Sequence, residues 1–161
     1  MSATPRPSPI SETERRERLS TLRSRMGAAG VDAVLLGSTE SLRYFTGLVW
    51  HQSERLVGAL ITQADLFYIV PGFERSRVDS LPKLDGAIVT WEEDENSAET
   101  VAALLAAKGR VALDDALPLF VYHALAKALS AERLVDGARL IRDIRLHKSA
   151  AEIGITQYAM N

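Results

Sequence analysis

The most chemically mixed part of the chain runs from Ser41 to Val57 and reads SLRYFTGLVWHQSERLV. Tyr and Trp side chains offer an apolar face with one polar edge, and His and Arg side chains bind carboxylates. The segment lies between two apolar runs, and loops that connect core elements carry binding residues more often than the core does. Five side chains in it are therefore candidate site residues: Tyr44, Trp50, His51, Glu54 and Arg55.

A purely structural interpretation accounts for the same residues. Tyr44 and Trp50 are then aromatics of the core, and Arg55 pairs with Glu54 or with a helix end. The residue types alone leave both interpretations open.

No catalytic constellation accompanies these residues. The three histidines are His51, His123 and His147, and no two of them have the i, i+4 spacing of a helical metal site. The chain has neither a phosphate-binding glycine loop nor a G-x-S-x-G elbow. It has no cysteine, which excludes a cysteine nucleophile, thiolate zinc ligands and disulfides. On its own residues, the chain is not expected to be a self-sufficient catalyst.

Composition narrows the class of protein. The 161 residues are 47% hydrophobic and 25% charged, which is typical of one globular domain. A formal charge of −2 disfavours nucleic acid as a partner. No apolar run is long enough to cross a bilayer, and the N-terminus lacks the apolar core of a signal peptide, so we expect a cytoplasmic protein without membrane contact.

The elements that must position the site alternate along the chain. Short apolar runs predict about six strands, and a three-residue link between two of them, Gly58 to Thr62 and Leu66 to Val70, predicts an antiparallel hairpin. Helices are predicted between most strands. The predicted fold is therefore α/β, with a mixed, roughly six-stranded sheet and helices on both faces.

Two helices can be placed by their end signals. Ser11 and Glu14 form a capping-box pattern, and the helix that follows is expected to bury Leu19, Leu22, Met26 and Ala29 before Gly30 ends it. Ser97 is expected to cap a helix that continues to Lys108. Residues 1–10 contain alternating prolines and are predicted to be a flexible tail.

Three stretches resemble the N-terminal domain of the creatinase, prolidase and Xaa-Pro aminopeptidase family. The first is LRYFTGL followed by SERLVGALIT and LFYIVPGFE, the second is GRVALDD, and the third, the most specific, is LIRDIRLHKSAAEI. The resemblance implies a domain over residues 11–147. It also implies that residues 148–161 start a linker helix towards a catalytic domain that lies beyond this chain.

The resemblance carries further expectations. Relatives bind two divalent metal ions (Mn, Co or Zn) in a C-terminal pita-bread domain, so no metal ligand and no catalytic residue is expected in this chain. The N-terminal half is expected to form a homodimer, to contact the catalytic domain of its own and of the neighbouring chain, and to shape the entrance for a proline-containing peptide. The candidate residues of the segment are then entrance and dimer-loop residues. Two alternatives are a free-standing binding module and half of a creatinase-like amidinohydrolase.

Overall fold

Six short apolar segments form one mixed β-sheet in the protein's computed structural model, which describes residues 6–160. The strands are β1 (Ala33–Leu36), β2 (Gly58–Thr62), β3 (Leu66–Pro71), β4 (Ala87–Trp91), β5 (Val111–Leu113) and β6 (Leu134–Asp136). Their order across the sheet is β4-β3-β2-β1-β5-β6. The predicted mixed sheet of about six strands is confirmed.

Strand β2 runs opposite to the other five strands. Its neighbour β1 is antiparallel to it and parallel to β5. Strands β2 and β3 form the predicted antiparallel hairpin, while β4 and β6 extend the two edges by parallel pairing. Helical crossovers are needed wherever consecutive strands run parallel, which explains why helices cover the sheet.

Alternate residues of β1 point into two separate cores, as the two-residue period of a strand requires. Val34 and Leu36 belong to one hydrophobic cluster, and Ala33 and Leu35 to the other. The seven helices of the described residues are α1 (Glu12–Ala29), α2 (Glu40–Thr46), α3 (Arg75–Ser80), α4 (Ser97–Ala103), α5 (Leu119–Leu129), α6 (Ala138–Leu146) and α7 (Ala150–Met160). Helices α1, α2, α3 and α6 cover the first cluster, and α4 and α5 cover the second. Helices on both faces are therefore confirmed.

Both ends of α1 are capped as predicted, but one residue of its predicted buried face is exposed. The Ser11 side chain accepts a hydrogen bond from the backbone N–H of Glu14, and Gly30 ends the helix in the left-handed conformation at φ 62°. Ala29 was expected on the buried face but is exposed, because the buried face of the helix ends at Met26, one turn before the Gly30 cap.

Helix α4 is shorter than the prediction of Ser97 to Lys108 and is capped by a different residue. The Asn96 side chain accepts a hydrogen bond from the backbone N–H of Ala98, so Asn96 is the cap. The helix ends at Ala103, because Leu104 leaves the helical path with Leu105 and both pack against the second hydrophobic cluster.

The two ends of the described chain lie outside the sheet. Residues 6–10 form neither helix nor strand, and the Ile10 carbonyl accepts a hydrogen bond of 2.7 Å from Arg15 Nη1. The part of the predicted tail from residue 1 to residue 5 lies outside the described residues. At the other end, Ser149 and Glu152 form a reciprocal capping box that begins α7, which buries none of its residues. Across residues 6–160, every helix is too short or too polar to traverse a bilayer.

Candidate functional site

The loop from Leu48 to Arg55, which we call the entrance loop, is held firmly at both ends. Gly47 closes α2 at φ 84°, and Leu48 behind it is fully buried. Beyond the far end, the Leu56 carbonyl accepts a hydrogen bond from Trp91 Nε1, and the Val57 carbonyl accepts one from Ser38 Oγ. The anchoring restricts the conformations of the short segment in between.

The tip of the entrance loop is exposed between these anchors. Val49 is 54% exposed, and residues 51–54 are exposed throughout. Trp50 packs its ring partly against the first hydrophobic cluster, while the guanidinium carbon of Arg77 lies 4.6 Å from the ring centroid. The loop therefore presents an apolar side chain that is only half covered, next to polar ones in solvent.

Trp50 and His51 line a cavity of about 300 Å³. Its opposite wall comes from the turn after β1 and from the first turns of α2, with Ser38, Thr39, Glu40 and Arg43. The cavity thus combines an aromatic ring, an imidazole, hydroxyl groups, one carboxylate and one guanidinium. Such a mixture suits a small ligand with an apolar body and a charged end.

Arg55 and Glu54 form a salt bridge with each other, as the structural interpretation predicted for this pair. Arg55 Nη1 donates to Glu54 Oε1 at 2.6 Å, and Arg55 Nη2 donates to Glu93 at 2.8 Å. The guanidinium also lies 5.5 Å from the centroid of the Phe73 ring. Exposed ion pairs of this kind contribute little to the free energy of folding. Arg55 therefore helps to position the loop but adds little to the stability of the domain.

Tyr44 does not join the other four candidates. It lies on another side of α2, where the Arg18 guanidinium carbon is 3.8 Å from its ring centroid and its hydroxyl donates to the Ile144 carbonyl at 3.4 Å. Its ring lines a second, larger cavity. The structure thus brings Trp50 and His51 together, places Glu54 and Arg55 beside them, and separates Tyr44 from all four.

Sequence reasoning missed the residues of the opposite wall. Neither Ser38, Thr39 and Glu40 nor Arg43 belongs to a motif that singles it out in the sequence. A signal existed, because a polar turn that follows a buried strand lies at the strand's carboxyl end, where binding residues gather in α/β folds. Only the tertiary packing shows that the entrance loop folds over this turn.

The histidines outside the loop contribute nothing to the site. His123 is exposed on α5, and His147 Nδ1 lies 3.0 Å from the Asp143 carbonyl at the end of α6. Nowhere in residues 6–160 do three His, Asp or Glu side chains gather in a group that could hold a metal ion. The residues described here therefore do not fit a dinuclear metal centre.

Comparison with known families identifies the domain. Residues 18–147 match the creatinase/prolidase N-terminal domain family. The chain belongs to this family. The match lies within the predicted domain of residues 11–147. No curated protein matches the chain.

Solved structures of low sequence identity share the fold of this creatinase/prolidase N-terminal domain. Dipeptidase PepE from Mycobacterium ulcerans superposes with a TM-score of 0.81 at 22% identity, over 91% of this chain and 40% of that one. Prolidase from Thermococcus sibiricus gives 0.75 at 19% identity, again over 91% and 40%. The N-terminal domain of an X-Pro dipeptidase from Streptococcus pyogenes gives 0.66 at 17% identity, over 79% and 98%. The chain thus spans less than half the length of the first two relatives.

One buried carboxyl group fixes the wall of the cavity in this creatinase/prolidase domain. Asp114 follows β5, is 2% exposed, and accepts hydrogen bonds from Thr39 Oγ1 and from the backbone N–H of Ala116. The Thr39 hydroxyl in turn caps α2 by accepting from the N–H of Ser41. Burial raises the pKa of Asp114 above its ordinary value, and the bond from Thr39 only partly opposes this rise.

The raised pKa of Asp114 predicts an unusual pH dependence of stability. A carboxyl group whose folded pKa exceeds its unfolded pKa contributes stability that is fully present below the unfolded value and is lost as the pH rises through the folded value. We therefore expect the free energy of unfolding of the wild type, relative to Asp114→Asn, to be greater at pH 4 than at pH 7.5. Urea titrations at both pH values measure this difference, and a difference that grows with pH would contradict the assignment.

Proposed function

We propose that this chain is the non-catalytic N-terminal domain of a proline-specific metallopeptidase, an Xaa-Pro dipeptidase or aminopeptidase, and that its entrance loop borders the active site. The observation that carries the proposal is the loop itself. Its ends are buried, its tip is exposed, and Trp50 and His51 stand beside a cavity of about 300 Å³. The similar solved structures include a prolidase and an X-Pro dipeptidase, which supports the substrate class.

The chemistry of the loop suits a proline-containing peptide. The uncovered part of the Trp50 ring offers an apolar surface for a pyrrolidine ring. Arg43 and His51, on opposite walls of the cavity, offer donors to a peptide carboxylate. The hydrolytic chemistry in this proposal belongs to two divalent metal ions, Mn, Co or Zn, held by a separate catalytic domain.

A homodimer is part of the same proposal, because the loop tip needs a partner to cover it. Helix α5 supports this part with exposed apolar side chains, namely Leu119, Phe120 and Tyr122, which are 67%, 47% and 37% exposed. Exposed apolar patches on a folded domain are typical of protein contacts. In such a dimer, the entrance loop of one chain would contact the catalytic domain of its neighbour. The absence of cysteine is compatible with a cytoplasmic site of action.

The first test of the proposal is an activity measurement on the chain alone. We expect the purified 161-residue protein to leave Xaa-Pro dipeptides intact in the presence of Mn²⁺, because the described residues hold no metal-binding group. A complete prolidase assayed in parallel serves as the positive control. Hydrolysis by the chain above a blank that contains only the metal would overturn its non-catalytic assignment.

The second test addresses the entrance loop in a polypeptide that joins this domain to a metallopeptidase catalytic domain. His51→Ala and Arg55→Ala are each expected to lower kcat/KM. The expected decrease corresponds to a loss of roughly 1–3 kcal/mol in transition-state stabilisation, the cost of a lost polar contact to a charged group. Their melting points should stay close to the wild type, because His51 is exposed and Arg55 forms only exposed ion pairs.

The matched control for the loop variants is His123→Ala, which removes an exposed histidine from α5. We expect it to change neither kcat/KM nor the melting point. If the loop variants melt at a much lower temperature while the remaining folded enzyme keeps normal kinetics, His51 and Arg55 are structural and the entrance role is wrong.

A further inference from the structure

A second cavity, which shares Glu40 and Arg43 with the cavity beside the entrance loop, is strongly basic. It has a volume of about 400 Å³ and is bounded by Pro9 and Ile10 and by helices α1, α2, α6 and α7. Five basic side chains line it: Arg15, Arg18, Arg43, Arg145 and Lys148. Two carboxylates, Glu40 and Glu152, share the lining. Positive charge therefore exceeds negative charge by three on the cavity wall.

Two carboxylates, Glu14 and Glu152, are already paired with a single arginine. Arg18 is only 8% exposed, donates to Glu14 Oε1, and lies 3.4 Å from Glu152 Oε2. Glu152 Oε2 also accepts the backbone N–H of Ser149 at the start of α7. These acids balance the buried charge of Arg18 and leave little for the other cations.

Three of the four arginines on the cavity wall have no carboxylate partner among residues 6–160. Arg15 Nη1 donates to the Ile10 carbonyl, Arg145 Nη1 donates to Ser41 Oγ at 3.1 Å, and Arg43 makes no side-chain hydrogen bond to the described chain. Each comes from a different helix, α1, α2 or α6, so the charges converge from three directions.

The charge of Arg15 is itself perturbed by its neighbours. Burial lowers the pKa of Arg15, and the nearby charges of Arg18 and Arg43 lower it further. An anion in the cavity would offset this repulsion between neighbouring guanidinium groups.

The geometry points to a binding site for a small organic anion that carries two or more phosphate or carboxylate groups. Guanidinium groups bind both kinds of oxyanion with paired hydrogen bonds, and three of them surround one cavity here. The volume is in the range of small-molecule sites, about 300–1,000 Å³. Tyr44, Ile10 and Ile155 supply apolar surface for the carbon skeleton of the ligand.

A ligand in this position would connect parts of the chain that otherwise touch weakly. Helix α7 buries no residue of its own, yet its Glu152, Ile155 and Thr156 line the cavity. An anion bound to Arg15, Arg43 and Arg145 therefore bridges α1, α2 and α6 beside α7. Binding is expected to stabilise α7 against the rest of the domain.

The experiment is calorimetric titration of the 161-residue protein with pyrophosphate and, separately, with citrate, at constant ionic strength set by chloride. We expect saturable binding of one anion per chain and slower hydrogen exchange of the α7 amides. Saturation by pyrophosphate alone assigns phosphate groups, by citrate alone carboxylate groups, and by both the shared oxyanion chemistry. Failure of both anions to saturate the protein overturns the proposal.

Charge-neutralising variants locate the site. Arg15→Gln and Arg43→Gln are each expected to weaken binding about tenfold, because each removes one charge-assisted contact. Arg75→Gln is the matched control, since Arg75 is exposed and lies outside the cavity. Equal weakening by Arg75→Gln would overturn the site. Circular dichroism checks the folding of each variant, and Arg43→Gln is expected to fold normally because Arg43 is exposed.

Discussion

Gly58→Ala is expected to lower the free energy of unfolding by about 3 kcal/mol or more, because strands β1 and β2 approach too closely to admit a side chain there. A Cβ atom at Gly58 would lie 2.1 Å from the Leu36 carbonyl oxygen, which is a backbone atom that cannot move away alone. Gly58 is also where the entrance loop joins β2, opposite Ile69 of β3. The central pairing would have to shift, and urea unfolding followed by circular dichroism measures the loss.

The control for this substitution is Gly154→Ala, the same chemical change on α7. A Cβ atom there meets nothing within 4 Å. Alanine favours a helix over glycine by roughly 1 kcal/mol, so this variant is expected to be at least as stable as the wild type. If Gly58→Ala and Gly154→Ala have the same free energy of unfolding, β1 and β2 do not approach as closely as described.

Phe45→Ala is expected to cost about 3–5 kcal/mol of stability, the range for removing a buried aromatic ring. Phe45 is fully buried in the first hydrophobic cluster, and its ring contacts the Tyr44 ring edge to face, with centroids 4.9 Å apart. The cavity left behind lies in α2, which leads directly into the entrance loop. Thermal and urea unfolding of the purified domain, which is expected to be cooperative, give the value.

Phe73→Ala provides the matched comparison, since Phe73 is 59% exposed. It is expected to change stability by no more than about 0.5 kcal/mol, as exposed substitutions usually do. Comparable losses in the two phenylalanine variants would show that burial does not set the contribution of these rings.

Most of the sheet could be predicted from the sequence because its signals are local. The run AVLL at Ala33–Leu36 is continuously apolar, and the structure shows it buried on both faces as β1. The three-residue link after Thr62 allows only a hairpin, and β2 pairs with β3 as expected. The boundaries of α4 were harder, since Asn96 and Ser97 are both good caps and only the backbone geometry selects one.

The candidate site was predictable only in part. The composition of Ser41 to Val57 singles out Trp50 and His51, and the structure places both on one cavity. The composition gives no sign that Tyr44 lies on another side of α2 from the cavity. Neighbouring residues of a helix point in different directions, and a list of residue types does not show those directions. The link between Thr39 and Asp114 joins residues 75 positions apart, which no local pattern encodes.

The sequence by itself determined the family and the order of strands and helices, because these depend on residue types and short spacings. Tertiary structure alone decided which charges meet. Arg15, Arg43 and Arg145 belong to three separate helices, and each looks like an ordinary surface residue in the chain. They converge on one cavity because α1, α2 and α6 pack their apolar faces against the same side of the sheet, which carries their polar edges together.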